Sequence, residues 1–134
     1  MILLILFLSL LILGESFVFK SQFFGRKVIK PLAYKITIKE LGKADVIMEV
    51  DENTSILEAG LDAGIELEHD CKLGVCLTCP SRIISGEVDQ SAGTLDDSVI
   101  ERGFALTCVT YPKSDCVIQV IEEDELVNAQ FEGR

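Results

Sequence analysis

Four of the five cysteines have a spacing that can do chemistry. Cys71, Cys76 and Cys79 are set C-x4-C-x2-C, and 28 residues separate Cys79 from Cys108. In this arrangement four thiolates hold two irons bridged by sulfide, a [2Fe-2S] centre that takes up and releases one electron. The mechanics suit it. A short bend wraps one side of the site with three sulfurs, and the fourth arrives from a separate strand. Gly74 lets the bend turn tightly and brings backbone N–H groups toward the sulfurs. Such hydrogen bonds, with burial and net charge, tune the potential. Other chemistries compete. Zinc favours paired C-x2-C knuckles or Cys/His sets, and His69 reads as an exposed loop residue. A disulfide within 71–79 would leave an unpaired thiol, and a catalytic thiol would need a base nearby.

The elements that must position these cysteines are legible around them. Tyr34 to Lys39 alternates polar and apolar at period two, as a half-buried strand does, and Asp45 to Val50 makes the second arm of a hairpin across Leu41-Gly42-Lys43-Ala44. A helix follows. Ser55 and Glu58 form a capping box, Ile56, Leu57, Ala59 and Leu61 supply its buried stripe, and Gly64 stops it. Residues 66–80 hold three cysteines and no sustained period. Ser81 to Val88 reads as strand and turn, Asp96 to Arg102 as a short helical turn ended by Gly103, and Phe104 to Val109 and Val117 to Ile121 as two strands. The sum is a mixed α+β domain with one main helix and a long cysteine loop.

Composition sets the outer limits. The chain has 134 residues and a formal net charge of −10, which argues against nucleic acid as a partner and disfavours an anionic membrane surface. An apolar content of 49% excludes a disordered acidic chain. The charge is unevenly spread. Residues 1–32 carry Lys20, Arg26, Lys27 and Lys30 against Glu15 alone, and the remainder is strongly acidic. Met1 to Leu13 is apolar but shorter than the ~20 residues of a membrane-spanning helix. It predicts a signal peptide over 1–16, with small residues at Gly14 and Ser16 before Phe17. Residues 17–32 then have transit-peptide composition. Two stacked addresses resemble the bipartite presequences that serve secondary plastids, and predict a stromal destination. An uncleaved membrane anchor and a simple secreted protein are the alternatives. The expected partition is completed by a domain over 33–127 and a C-terminal extension over 128–134.

Around the cysteines the sequence resembles the plant-type [2Fe-2S] ferredoxins of plastids and cyanobacteria over nearly all of 34–127. The matching stretches are Ala63-Gly64-Ile65, the cysteine loop, Ser85 to Ser91, Leu95-Asp96-Asp97 and Leu106 to Cys116. The resemblance implies a β-grasp fold, one [2Fe-2S] cluster per chain, and Cys71, Cys76, Cys79 and Cys108 as its ligands. Cys116 matches a non-ligand position and reads as a packing residue. There are departures too. This chain has Asp70, Lys72, Leu77-Thr78 and Pro80 around its ligands, and Thr94 where an aromatic residue precedes Leu-Asp-Asp. The loop CKLGVCLTCP and the run beyond Val127 look like the ferredoxin C type.

The resemblance implies a small electron carrier rather than an enzyme, monomeric and with no stable membrane insertion of the mature domain. A cluster-bearing accessory or regulatory module is the alternative. The acidic runs Asp96-Asp97 and Glu122 to Glu125 would steer the carrier to basic-faced redox proteins: a reductase, photosystem I or a dedicated acceptor. By analogy Glu123 would contact ferredoxin–NADP reductase, but Thr94 lacks the ring that supports that exchange. A non-standard partner is therefore expected, as is a potential different from the roughly −400 mV of the standard type.

Overall fold

A computed structural model describes residues 33–132; the leader segments 1–16 and 17–32, and the last two residues, lie outside the described residues. Strands β1 (Tyr34–Lys39) and β2 (Val46–Val50) form the expected hairpin. The alternation works as anticipated, with Tyr34, Ile36 and Ile38 turned into the core. Helix α1 (Ile56–Asp62) starts at Ser55, whose Oγ accepts the Glu58 N–H at 3.2 Å. Gly64, at φ +80, ends it in a backbone conformation that a side chain would strain. Ile56 and Leu57 are buried, while Ala59 and Leu61 pack at the margin of the core.

The remaining elements are β3 (Pro80–Ser85), β4 (Val88–Asp89), α2 (Asp97–Glu101), β5 (Phe104–Leu106), a 3-10 turn (Thr107–Val109), β6 (Tyr111–Pro112), β7 (Cys116–Val120) and α3 (Glu123–Phe131). The main sheet runs β2-β1-β7-β3-β5, and β4 with β6 makes a small separate ribbon. Strands β1 and β7 are parallel, and every other neighbouring pair in both sheets is antiparallel. This is the expected mixed α+β arrangement. Ile36, Ile38 and Ile118 from the sheet, with Ile56 and Leu57 from α1, join one hydrophobic core. Each such side chain contributes about 1.5–3 kcal/mol by leaving water.

Two features differ most from the sequence reading. The strand expected over Phe104 to Val109 stops at Leu106, and a 3-10 turn replaces its second half. Threonine hydroxyls divert the backbone: Thr110 Oγ1 donates to the Leu106 carbonyl at 2.7 Å, and Thr107 Oγ1 to the Cys79 carbonyl at 3.4 Å. Cys108 therefore arrives on a turn rather than a strand. The second feature is α3, which runs through the expected boundary between 127 and 128. Its Leu126, Ala129 and Gln130 are buried, and Gln130 Oε1 accepts the Asp96 N–H at 3.2 Å. Ala129 and Gln130 thus pack against the domain, while Asn128 and Phe131 are exposed. Among the described residues no helix is long and apolar enough to cross a membrane.

Candidate metal centre

The four cysteines reach one end of the sheet by two routes. The first is strand pairing. Pro80 of β3 is in register with Leu106 of β5, so Cys79, just before Pro80, is carried beside the chain that leads to Cys108. The Thr107 N–H donates to the Cys79 carbonyl at 3.0 Å and extends the ladder one step past the strands. The result is a Cys79 Sγ to Cys108 Sγ separation of 3.3 Å, with both residues buried. Proline opens β3 where the absence of an N–H is tolerated.

The second route is a coiled loop. Lys72 (φ 55), Gly74 (φ +76) and Leu77 (φ 66) all adopt the left-handed region, two of them with side chains that disfavour it. Left-handed turns at this density roll the backbone around so that successive N–H groups point inward. The Leu73 N–H donates to Cys71 Sγ at 3.3 Å. Together with the Val75 N–H and the Cys76 thiol it brings the Cys71 thiol down to about 6. Burial, with Cys79 alongside, pushes Cys108 up to about 12, and the Gly74 N–H opposes that rise. Gly74 is buried, and a Cβ there would lie 2.9 Å from both Val109 methyls.

The thiols thus fall into two pairs, Cys71 with Cys76 and Cys79 with Cys108. Among the described residues no group of three or more His, Cys, Asp or Glu side chains is disposed around a single ion. A structural zinc needs four donors around one point. Two thiol pairs suit two irons instead, and inward N–H groups suit thiolate sulfur, so the residues present fit a [2Fe-2S] group. His69 stays apart, its Nδ1 2.7 Å from the Leu67 carbonyl and its side chain half-buried.

The fifth cysteine lies elsewhere. Cys116 opens β7, is buried, and its thiol donates to the carbonyls of Glu87 and Ser114 at 3.3 and 3.2 Å. All five cysteines are free thiols. The sequence did not reveal Thr94 as a structural tie. Its N–H and Oγ1 both donate to the Gly74 carbonyl, at 3.1 and 2.9 Å. Only the absence of an expected aromatic ring had marked the position.

A grasping sheet that gathers four thiols in two pairs defines the class of plant-type [2Fe-2S] ferredoxin domains. The model of the 2Fe-2S iron-sulfur cluster binding domain matches residues 38–113, more than half of the chain, and the protein belongs to that family. One [2Fe-2S] cluster is its cofactor. It is similar to ferredoxin C 1, chloroplastic, of Arabidopsis thaliana, with 47% identity over 99 residues, covering 74% of this chain and 64% of that one. The match therefore spans just under two thirds of that relative's length. It is also similar to the heterocyst ferredoxin of Microchaete diplosiphon, 48% identical over 84 residues, covering 62% of this chain and 85% of the relative. Among solved structures, pectocin M2 superposes with a TM-score of 0.63 at 38% identity, covering 70% of this chain and 34% of the other.

Proposed function

We propose that the protein is a small soluble one-electron carrier of plastids, whose [2Fe-2S] cluster is held by Cys71, Cys76, Cys79 and Cys108. The observation that carries this reading is the pairing of four thiols beneath inward-facing N–H groups. When bound, the cluster supplies reversible uptake of a single electron. The chain's own residues do the rest. Leu73 and Val75 present N–H groups to Cys71, and Gly74 presents one to Cys108. Cys79 and Cys108 are buried, so water is kept from that side.

Exposed carboxylates of Glu66, Glu68 and Asp70 lead directly into the cysteine loop. They give that end a negative field, which favours a basic-faced reductase, photosystem I or a dedicated acceptor. Thr94 in place of an aromatic residue supports a partner other than the standard ones. Likeness to a chloroplastic relative supports a plastid. The composition of 1–32 supports entry to a secondary plastid through a signal peptide and a transit segment, leaving a monomeric mature domain in the stroma.

The test is direct. Anaerobically purified protein should be brown, hold about two irons and two sulfides per chain, and give a rhombic EPR signal when reduced. It should then reduce a basic-faced acceptor at a rate that falls as salt rises. Reduction of ferredoxin–NADP reductase as fast as by a standard ferredoxin would overturn the proposal of a non-standard partner. Colourless, iron-free material would overturn the whole reading.

A further inference from the structure

The peptide unit that joins Gly74 to Val75 is held at both ends. Its carbonyl, that of Gly74, accepts two hydrogen bonds from one residue outside the loop: the Thr94 N–H at 3.1 Å and the Thr94 hydroxyl at 2.9 Å. Its N–H, that of Val75, acts on the Cys71 thiol beside the Leu73 N–H, which donates to Cys71 Sγ at 3.3 Å. In a trans peptide the C=O and N–H point in opposite directions within one rigid plane, and no cis peptide occurs among the described residues. A carbonyl tied to Thr94 therefore leaves the N–H facing the sulfur.

The surroundings remove other freedom. A Cβ on Gly74 would meet the Val109 methyls at 2.9 Å and the Gly93 Cα at 3.1 Å, so the loop is in close contact with both. The segment bearing Thr94 is itself fixed. The Gly93 N–H donates to the Gln90 carbonyl at 3.0 Å, and Gln90 Nε2 donates to the Phe104 carbonyl of β5, also at 3.0 Å. A continuous set of bonds thus runs from β5 through Gln90 and Thr94 to the donor at Cys71.

We propose that Thr94 is a positioning residue for the metal centre: by holding the Gly74 carbonyl it aims the Val75 N–H at the Cys71 sulfur, and so raises the midpoint potential of the cluster. The inference rests on Cys71 being a ligand, as proposed above. Its sign follows from charge. Reduction adds one negative charge to the thiolate-bound centre, and an N–H donor stabilises the more negative state. Loosening the donor should lower the potential.

The experiment compares full-length wild type, Thr94→Val and Thr94→Ser by redox titration followed by EPR. Valine keeps the shape and removes the hydroxyl, whereas serine keeps the hydroxyl. Thr94→Val should show an equilibrium constant for reduction about threefold lower, ~28 mV more negative at 59 mV per tenfold for one electron. Thr94→Ser should match wild type. Cluster-loaded Thr94→Val with an unchanged potential would overturn the proposal. Wild type devoid of iron would instead overturn the ligand assignment. A second measurement is independent of whether Thr94→Val folds: hydrogen–deuterium exchange at the Val75 amide of the loaded wild type and Thr94→Ser, read at single-residue resolution. Protection in both is expected, and exchange at the rate of a free amide in wild type would overturn the proposal.

Discussion

Cys79 and Cys108 have their sulfurs 3.3 Å apart although 29 positions separate them in the chain. What joins them is the Pro80–Leu106 register of β3 and β5, continued by the Thr107 N–H to the Cys79 carbonyl. With Cys79 and Cys108 as proposed ligands, loss of either sulfur leaves one iron short of a ligand. Cys79→Ser and Cys108→Ser should each lose the visible absorbance and most of the ~2 irons per chain expected of a [2Fe-2S] protein. Cys116→Ser, on a thiol bonded to Ser114 and Glu87, should keep both. Iron assay and absorbance decide it, and full iron in Cys108→Ser would remove Cys108 from the ligand set.

Gly74 and Gly42 share a left-handed backbone but not a setting. At Gly42 (φ +75) a Cβ would meet nothing within 4 Å, while at Gly74 (φ +76) it would press on Val109 and Gly93. Gly42→Ala should therefore cost only the conformational strain, about 1 kcal/mol. Gly74→Ala should add an overpacking cost of about 1–3 kcal/mol and release its cluster faster in denaturant. Urea titration of both variants separates the two effects. Equal costs would show that the contact with Val109 and Gly93 relaxes freely.

The contrast between what was legible and what was not follows from the range of the signals. Strand β1, the Ser55 cap and the Gly64 stop depend on neighbours a few positions away, and the sequence marks them to within a residue. The four cysteines were legible because their spacing is itself the constraint. Helix α3 was not. Its first turn, Glu123, Asp124 and Glu125, reads as an acidic surface run, and Glu122 makes no side-chain cap. Its burial is decided by distant partners: Leu126 joins the core and Gln130 reaches Asp96. Thr94 escaped for the same reason, since its partner Gly74 lies 20 positions away.

Burial pushes the Cys116 thiol above its ordinary range, against the opposing pull of its bonds to Ser114 and Glu87. A thiol whose folded value is raised contributes stability that is complete below the unfolded value of ~8.5 and fades as pH climbs through the folded one. Iodoacetamide at pH 8 should therefore leave Cys116 unmodified in the loaded protein and label it fully in guanidinium. The stability advantage of wild type over Cys116→Ala should hold constant to about pH 8 and shrink in more alkaline solution. Labelling within minutes at pH 8 in the native state would contradict the burial of this thiol.

Helix α3 is attached to the sheet by apolar contact and by charge, and the two can be weighed. Arg82 of β3 stacks over the Phe104 ring at 4.4 Å and pairs with Glu125 at 3.2 Å, while Arg102 pairs with Glu132 at 3.0 Å. These groups are substantially exposed, and such pairs are worth about 0–1 kcal/mol. Leu126, by contrast, is fully buried. Leu126→Ala should cost about 2–5 kcal/mol, and each kcal/mol should lower the melting temperature of a domain this size by roughly 4–8 °C. Glu125→Gln should move it by only a few degrees. Thermal unfolding of both, with iron retained, measures the ranking. If Glu125→Gln proved the more damaging, charge rather than packing would hold the C-terminal helix in place.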